Sequence, residues 1–144
     1  MKLPPYIYQL IDHIYISDSR SIVYTSQFGL VIHCSYINEP STILTKQMGK
    51  TTVIHLNKYA NQPSSSIINK DILRSAIIHA TSINQPVLLY SDPYDDSCTL
   101  FFNYLMEHYR FTKEDIYRMI ISRPMNDDLK KTMQEKLMKI DKNE

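Results

Sequence analysis

Three short uninterrupted apolar runs constrain this chain more than any other feature: Phe28 to Ser35 around Leu30, Val31 and Ile32, then Thr51 to Leu56, then Pro86 to Tyr90. Runs of this length are expected of strands buried on both faces of a mainly parallel sheet. Ile11 to Ser17 carries β-branched and aromatic residues at strand density and ends in the turn chemistry of Asp18 and Ser19, so it reads as a first, edge strand. Between the last two runs, Ile72, Leu73, Ala76, Ile77, Ala80 and Ile83 recur at three- and four-residue spacing within Asp71 to Ile83. That spacing gives one apolar helical face, and strand, helix, strand is a βαβ unit.

From Thr99 the pattern changes to helices. Leu100, Phe101, Tyr104, Leu105 and His108 mark one stripe that ends near Tyr109. Thr112-Lys113-Glu114-Asp115 has the form of a capping box with Asp in place of Glu, opening a helix to about Ile121 that Pro124 stops. Asn126 can cap a last helix in which Leu129, Met133, Leu137 and Ile140 recur. The expectation is one α/β domain over residues 1–144, a small, mostly parallel central sheet with the crossover helix on one side and the C-terminal helices on the other.

Composition removes several function classes. Two glycines leave few backbone positions able to wrap a phosphate closely, and neither a Walker-type nor a dinucleotide-binding loop is present. A net charge of +1 with 22% charged residues argues against a nucleic-acid binder, and no run approaches the length of a membrane span, so neither nucleic acid nor membrane is an expected partner. Two cysteines, Cys34 and Cys98, make no disulfide framework, and no Asn-X-Ser/Thr acceptor occurs, which fits a soluble chain in a reducing cytoplasm. The five histidines fall in separate elements without ligand spacing, so no metal and no cofactor is expected.

Several short segments, in order, resemble the dual-specificity phosphatases of the protein tyrosine phosphatase superfamily, including the poxvirus ones. Ile14-Tyr15-Ile16-Ser17-Asp18 is similar to that family's opening Val-Tyr-Leu-Gly-Asn, and Phe28-Gly29-Leu30-Val31-Ile32 to its Gly-Ile-Thr-His-Val-Leu-Asn strand. Ile54-His55-Leu56 resembles Ile-His-Ile-Pro, and Pro86-Val87-Leu88-Leu89-Tyr90-Ser91 stands where the family has a strand ending Val-Leu-Val-His-Cys. Tyr104-Leu105-Met106 matches Ala-Tyr-Leu-Met, and Ser122-Arg123-Pro124 matches Arg-Arg-Pro. The resemblance runs from Ile11 to about Ile140 and implies a dual-specificity-phosphatase-like fold.

It does not carry over the catalytic residues. In that family a Cys thiolate attacks phosphorus, backbone N–H groups and an Arg six residues on hold the phosphoryl oxygens, and an Asp from another loop protonates the leaving oxygen. Counted from the strand, the His and Cys fall on Tyr90 and Ser91 and the Arg on Ser97; counted back from Tyr104, the Arg falls on Asp96. No Lys or Arg occurs between Arg74 and Arg110, so no shift restores a guanidinium. The acid loop places Ala60 and Asn61 at the Asp pair, and neither can donate a proton. Asp92, Asp95 and Asp96 make the loop acidic; at 4 Å from a phosphoryl charge each carboxylate costs about 4 kcal/mol near a protein surface.

The expectation is therefore no enzyme: a catalytically inactive pseudophosphatase that binds a protein, in a viral context a host signalling or immune factor in the host cytoplasm. Tyr36, Tyr59, Tyr90 and Tyr94, in or next to loops at the strand ends, are candidate partner contacts, because Tyr combines apolar area with a hydroxyl. Two other classes stand beside this reading. One is an enzyme with a repurposed pocket, using Ser91 or Cys98 as nucleophile or the aspartates as metal ligands; the other is a self-associating assembly protein, a homodimer being its simplest form. His33-Cys34 imitates the family's His-Cys dipeptide but lies in the second strand run with Pro40 six residues on, so Cys34 reads as a buried strand residue.

Overall fold

The computed structural model describes residues 3–39, 41–57 and 66–140, and the architecture below is that of these residues. The strands are β1 (Tyr8–Ile11), β2 (Ile14–Ser17), β3 (Leu30–His33), β4 (Thr42–Met48), β5 (Thr51–Asn57) and β6 (Val87–Tyr90); the helices are α1 (Ser66–Ser82), α2 (Asp95–His108), α3 (Lys113–Ser122) and α4 (Asp127–Ile140). A 3-10 helix spans Ser19–Gln27. The six strands form one sheet in the order β1-β2-β6-β3-β5-β4.

Neighbouring β2, β6, β3 and β5 pair in parallel, while β1 on β2 and β4 on β5 are antiparallel hairpins that close the two edges. The sheet is thus mixed, where the apolar runs predicted a mostly parallel one. The predicted edge strand Ile11 to Ser17 is really the inner half of a hairpin, because His13 at φ 70° turns the chain back and leaves β1 outside. Strand β4 escaped the sequence reading since its TILTKQM is exposed over most of its length and shows no clean alternation. Gly49, also at positive φ (62°), makes the β4–β5 turn.

The two faces of the sheet are covered unequally. Leu30, Ile32, Val87 and Leu89 point into one core together with Leu73 and Ile77 of α1, Leu100 and Phe101 of α2, Ile116 of α3, and Leu129 and Met133 of α4. Val31 and Leu88 point the other way, into a smaller cluster with Ile7 and Phe28, against which Tyr6, Tyr15 and Tyr24 pack. All four α-helices therefore lie on one face, and the 3-10 helix and the N-terminal segment cover the other. This corrects the expectation that α1 and the C-terminal helices flank opposite faces: α1 meets α2 directly, its Arg74 Nη1 donating to Asn103 Oδ1 at 2.7 Å.

The caps read from sequence form. Thr112 Oγ1 accepts from Asp115 N at 3.1 Å while Asp115 Oδ2 accepts from Thr112 N at 2.8 Å, a complete capping box for α3. Asn126 Oδ1 accepts from Leu129 N at 2.7 Å and caps α4. Among the described residues no helix is long and apolar enough to cross a membrane.

Candidate functional site

In parallel sheets the carboxyl ends of the strands, and the loops that leave them, build the ligand sites. Here that edge is a register row: Ser17 lies opposite Tyr90, Tyr90 opposite His33, and His33 opposite His55. The β6–α2 loop rises from its centre. It carries Ser91, Asp92, Pro93 and Tyr94 and runs into Asp95, Asp96 and Ser97 of the first turn of α2, the segment onto which the resemblance sets a phosphate loop.

The loop is closed upon itself. Ser91 and Ser97 are both fully buried. Ser91 Oγ donates to the Pro93 carbonyl at 2.7 Å and accepts the Ser97 N–H at 3.0 Å. The Ser97 hydroxyl donates to the Tyr94 carbonyl at 2.9 Å, and the two hydroxyl oxygens lie 3.1 Å apart. Tyr94, the residue flanking α2, offers no side-chain cap, so the N3 amide of that helix depends on Ser91, three residues before the usual capping position. Ser91, the residue that the resemblance sets against the nucleophile, is here a helix cap. An N–H group that a phosphate cradle would point at an oxyanion is already occupied.

The three aspartates of this stretch turn to three different elements. Asp92 Oδ1 accepts from Ser19 N of the 3-10 helix at 3.2 Å, and Asp95 Oδ2 lies 3.8 Å from Lys136 Nζ of α4. Asp96 sits against the loop after β3, where burial pushes its carboxyl above the usual range although Lys136 and the Tyr36 amide pull it down. They do not converge, and among the described residues no group of three or more His, Cys, Asp or Glu side chains could hold a metal ion. On the outer side of the loop, Asp18, Asp92, Asp128 and Glu135 surround Tyr94 and a single lysine, Lys131, in an open depression of about 390 Å³. Asp18 is held below the usual carboxylate range by its hydrogen bonds to Arg20, the shorter ones at 2.8 and 3.0 Å. An anion entering this depression meets four carboxylates.

The cysteines are no better placed for chemistry. Cys34 follows β3 directly, fully buried as expected, its N–H bonded to the Tyr90 carbonyl at 2.9 Å. Cys98 is fully buried in α2. Burial, with the Asp95 charge next, pushes the Cys98 thiol far above the range in which a thiolate forms at neutral pH.

Burial also changes the reading of the tyrosines. Tyr90 and Tyr94 were candidate partner contacts, but they retain only 9% and 8% of their exposure. Tyr90 stacks on His33, ring centroids 4.7 Å apart and planes 6° apart, and the Tyr94 hydroxyl reaches Asp18 Oδ2 at 3.5 Å. These rings hold the edge together rather than presenting themselves to a partner. Tyr36, at φ 69° in the loop after β3, is 41% exposed and keeps its place as a contact candidate. Tyr59, Ala60 and Asn61 lie outside the described residues, as does Pro40.

Sequence reasoning did not see the histidine pairing. His33 and His55 come together only because β3 and β5 align in register. His33 Nε2 is 2.8 Å from Ser35 Oγ, the kind of contact that activates a serine, but no carboxylate hydrogen-bonds the ring among the described residues. Burial and the neighbouring His55 hold the His33 imidazole below its ordinary pKa, against the opposing pull of Asp92.

Against solved structures, the chain superimposes on human DUSP28 with a TM-score of 0.62 at 13% identity, covering 96% of this chain and 97% of that one. It is similar to a human tyrosine phosphatase-like serine/threonine/tyrosine-interacting protein, with a TM-score of 0.59, 13% identity, and 92% and 95% of the two chains covered. It also resembles OH1 from the Orf virus, described as a tyrosine phosphatase with triple substrate specificity, at a TM-score of 0.56 and 15% identity over 97% and 88%. No protein-family model and no curated protein sequence matches. The fold is that of the dual-specificity phosphatases.

Proposed function

We propose that this protein is a pseudophosphatase: a dual-specificity-phosphatase fold that hydrolyses no phosphate ester and acts by binding another protein. The observation that carries the reading is Ser91, buried at the nucleophile position with its proton given to the Pro93 carbonyl and its lone pair to the Ser97 amide. A nucleophile needs a base on its proton and an approach path, and Ser91 has neither. Ser97, six residues on, puts a hydroxyl where the family puts a guanidinium, and the nearest depression is acidic. Function belongs to the site and not to the fold.

Two candidate contacts remain, the exposed Tyr36 and that acidic depression, and a partner segment rich in Lys or Arg complements the depression. Similarity to a phosphatase-like interacting protein and to a viral phosphatase supports a role in binding and a viral protein that engages a host signalling or immune factor in the cytoplasm. The test has two arms. Turnover of a generic aryl phosphate and of a phosphotyrosine peptide should stay at background, and Ser91→Cys should not raise it, because the clamp and the acid are still missing. Turnover that survives purification and disappears in Ser91→Ala refutes the reading. For the binding arm, a partner captured by affinity pull-down should lose about 2 kcal/mol of affinity with Tyr36→Ala while thermal stability stays put.

A further inference from the structure

On the face of the molecule formed by its helices, α1, α2 and α4 enclose a pocket of about 380 Å³, within the size range of small-molecule sites. Lys70 enters it from α1, Lys136 and Lys139 from α4, and among the described residues no carboxylate lines it. We propose that this pocket binds a small phosphate ester carrying at least two negative charges on an organic body, of the nucleoside diphosphate kind. The site is separate from the β6–α2 loop and independent of whether that loop is catalytic.

The donors are set for an anion. Lys70 and Lys139 have no ion pair among the described residues, and Lys136 faces two carboxylates outside the pocket lining, Asp95 at 3.8 Å and the Asp96 charge. Asn103 accepts from Arg74 with its Oδ1, and its amide also brings two N–H donors to the pocket lining. Lys70 is half-buried, and its ammonium is held below the ordinary value by burial first and by the Lys136 charge second, with no carboxylate acting the other way. Three ammonium groups around one cavity repel each other, and a polyanion relieves that repulsion. Half-buried Met106 and Ile140, over the buried Phe102, supply an apolar wall that inorganic phosphate does not use and an organic body does. The fold brings this set together from distant parts of the chain, while the acidic depression takes its α4 residues, Asp128, Lys131, Thr132 and Glu135, from earlier turns of that helix, so the two surfaces carry opposite charge.

The experiment is calorimetric titration of the full chain with ADP and, separately, with pyrophosphate. ADP should bind saturably, one per chain, more tightly than pyrophosphate, and more weakly as salt rises. Lys70→Gln and Lys139→Gln should each weaken ADP binding by about tenfold or more, whereas Lys70→Arg and Lys139→Arg retain it. Thermal melts of all four variants establish that each is folded, and Ser91→Ala should leave ADP binding unchanged. Absence of saturable ADP binding, binding indifferent to the two glutamine variants, or binding lost with Ser91→Ala each overturns the proposal. Pyrophosphate binding as tight as ADP overturns the assignment of an organic body.

Discussion

Replacing Ser91 by Ala separates a cap from a nucleophile. The substitution removes one oxygen from a fully buried position and leaves two backbone groups without their partner, the Ser97 N–H and the Pro93 carbonyl. Loss of a helix cap costs about 1 kcal/mol, and orphaning a buried donor or acceptor raises that to about 1–3 kcal/mol. The Ser97 hydroxyl cannot take over, because its proton is committed to the Tyr94 carbonyl of the preceding turn. For a domain of this size the melting temperature should fall by about 3–9 °C. Calorimetric and urea-induced unfolding measure the change, with aryl phosphate turnover followed in parallel. Ser91→Ala and Ser97→Ala should be non-additive, since the two hydroxyls are 3.1 Å apart and share the Ser97 amide and the turn it closes. A Ser91→Ala protein as stable as the parent, or more stable, refutes the argument: that is the behaviour of a residue kept for chemistry at the expense of packing.

Three further outcomes are expected. His33 has a folded-state pKa below the ordinary 6.5, so the unfolded chain takes up the proton first; the stability it contributes is present above about pH 6.5 and is lost as the pH falls through its folded pKa. Chemical denaturation across pH 5–8 should therefore show less acid destabilisation in His33→Asn than in the parent, and identical slopes would refute this. Gly29→Ala should destabilise by about 1–3 kcal/mol, because the new Cβ would stand 2.7 Å from Gln85 Cβ beside the Gly29 N–H bond to the Pro86 carbonyl; a neutral thermal melt would count against that clash. Phosphate and vanadate should leave the NMR amide signals of Ser91 through Cys98 in place, since each carboxylate of the depression opposes an anion by about 4 kcal/mol at contact distance. Millimolar or tighter binding mapped to those residues would overturn the electrostatic reading.

What was legible in the sequence is what depends on neighbours along the chain. The capping box at Thr112 and the cap at Asn126 need only residues three apart, and both form as read. The continuous apolar runs of β3 and β6 follow from burial on two faces, a property each run carries by itself. That Ser91 and Ser97 stand where the resemblance sets Cys and Arg is read without any structure, because it concerns identities at positions rather than contacts. Tertiary structure decided the rest. Whether Ile11 to Ser17 is one strand or half of a hairpin depends on a positive φ at His13, and β4 exists only because β5 offers it an edge to pair with. Tyr90 and Tyr94 sit at strand and helix ends where sequence leaves open whether a tyrosine meets a partner or covers the core; a stacked His33 and a hydroxyl contact with Asp18 accompany their burial. The change of Ser91 from nucleophile position to cap, and the meeting of Lys70 with Lys136 and Lys139, both turn on how α2 docks. Packing of that kind is set by the summed fit of many distant side chains, and no local pattern encodes it.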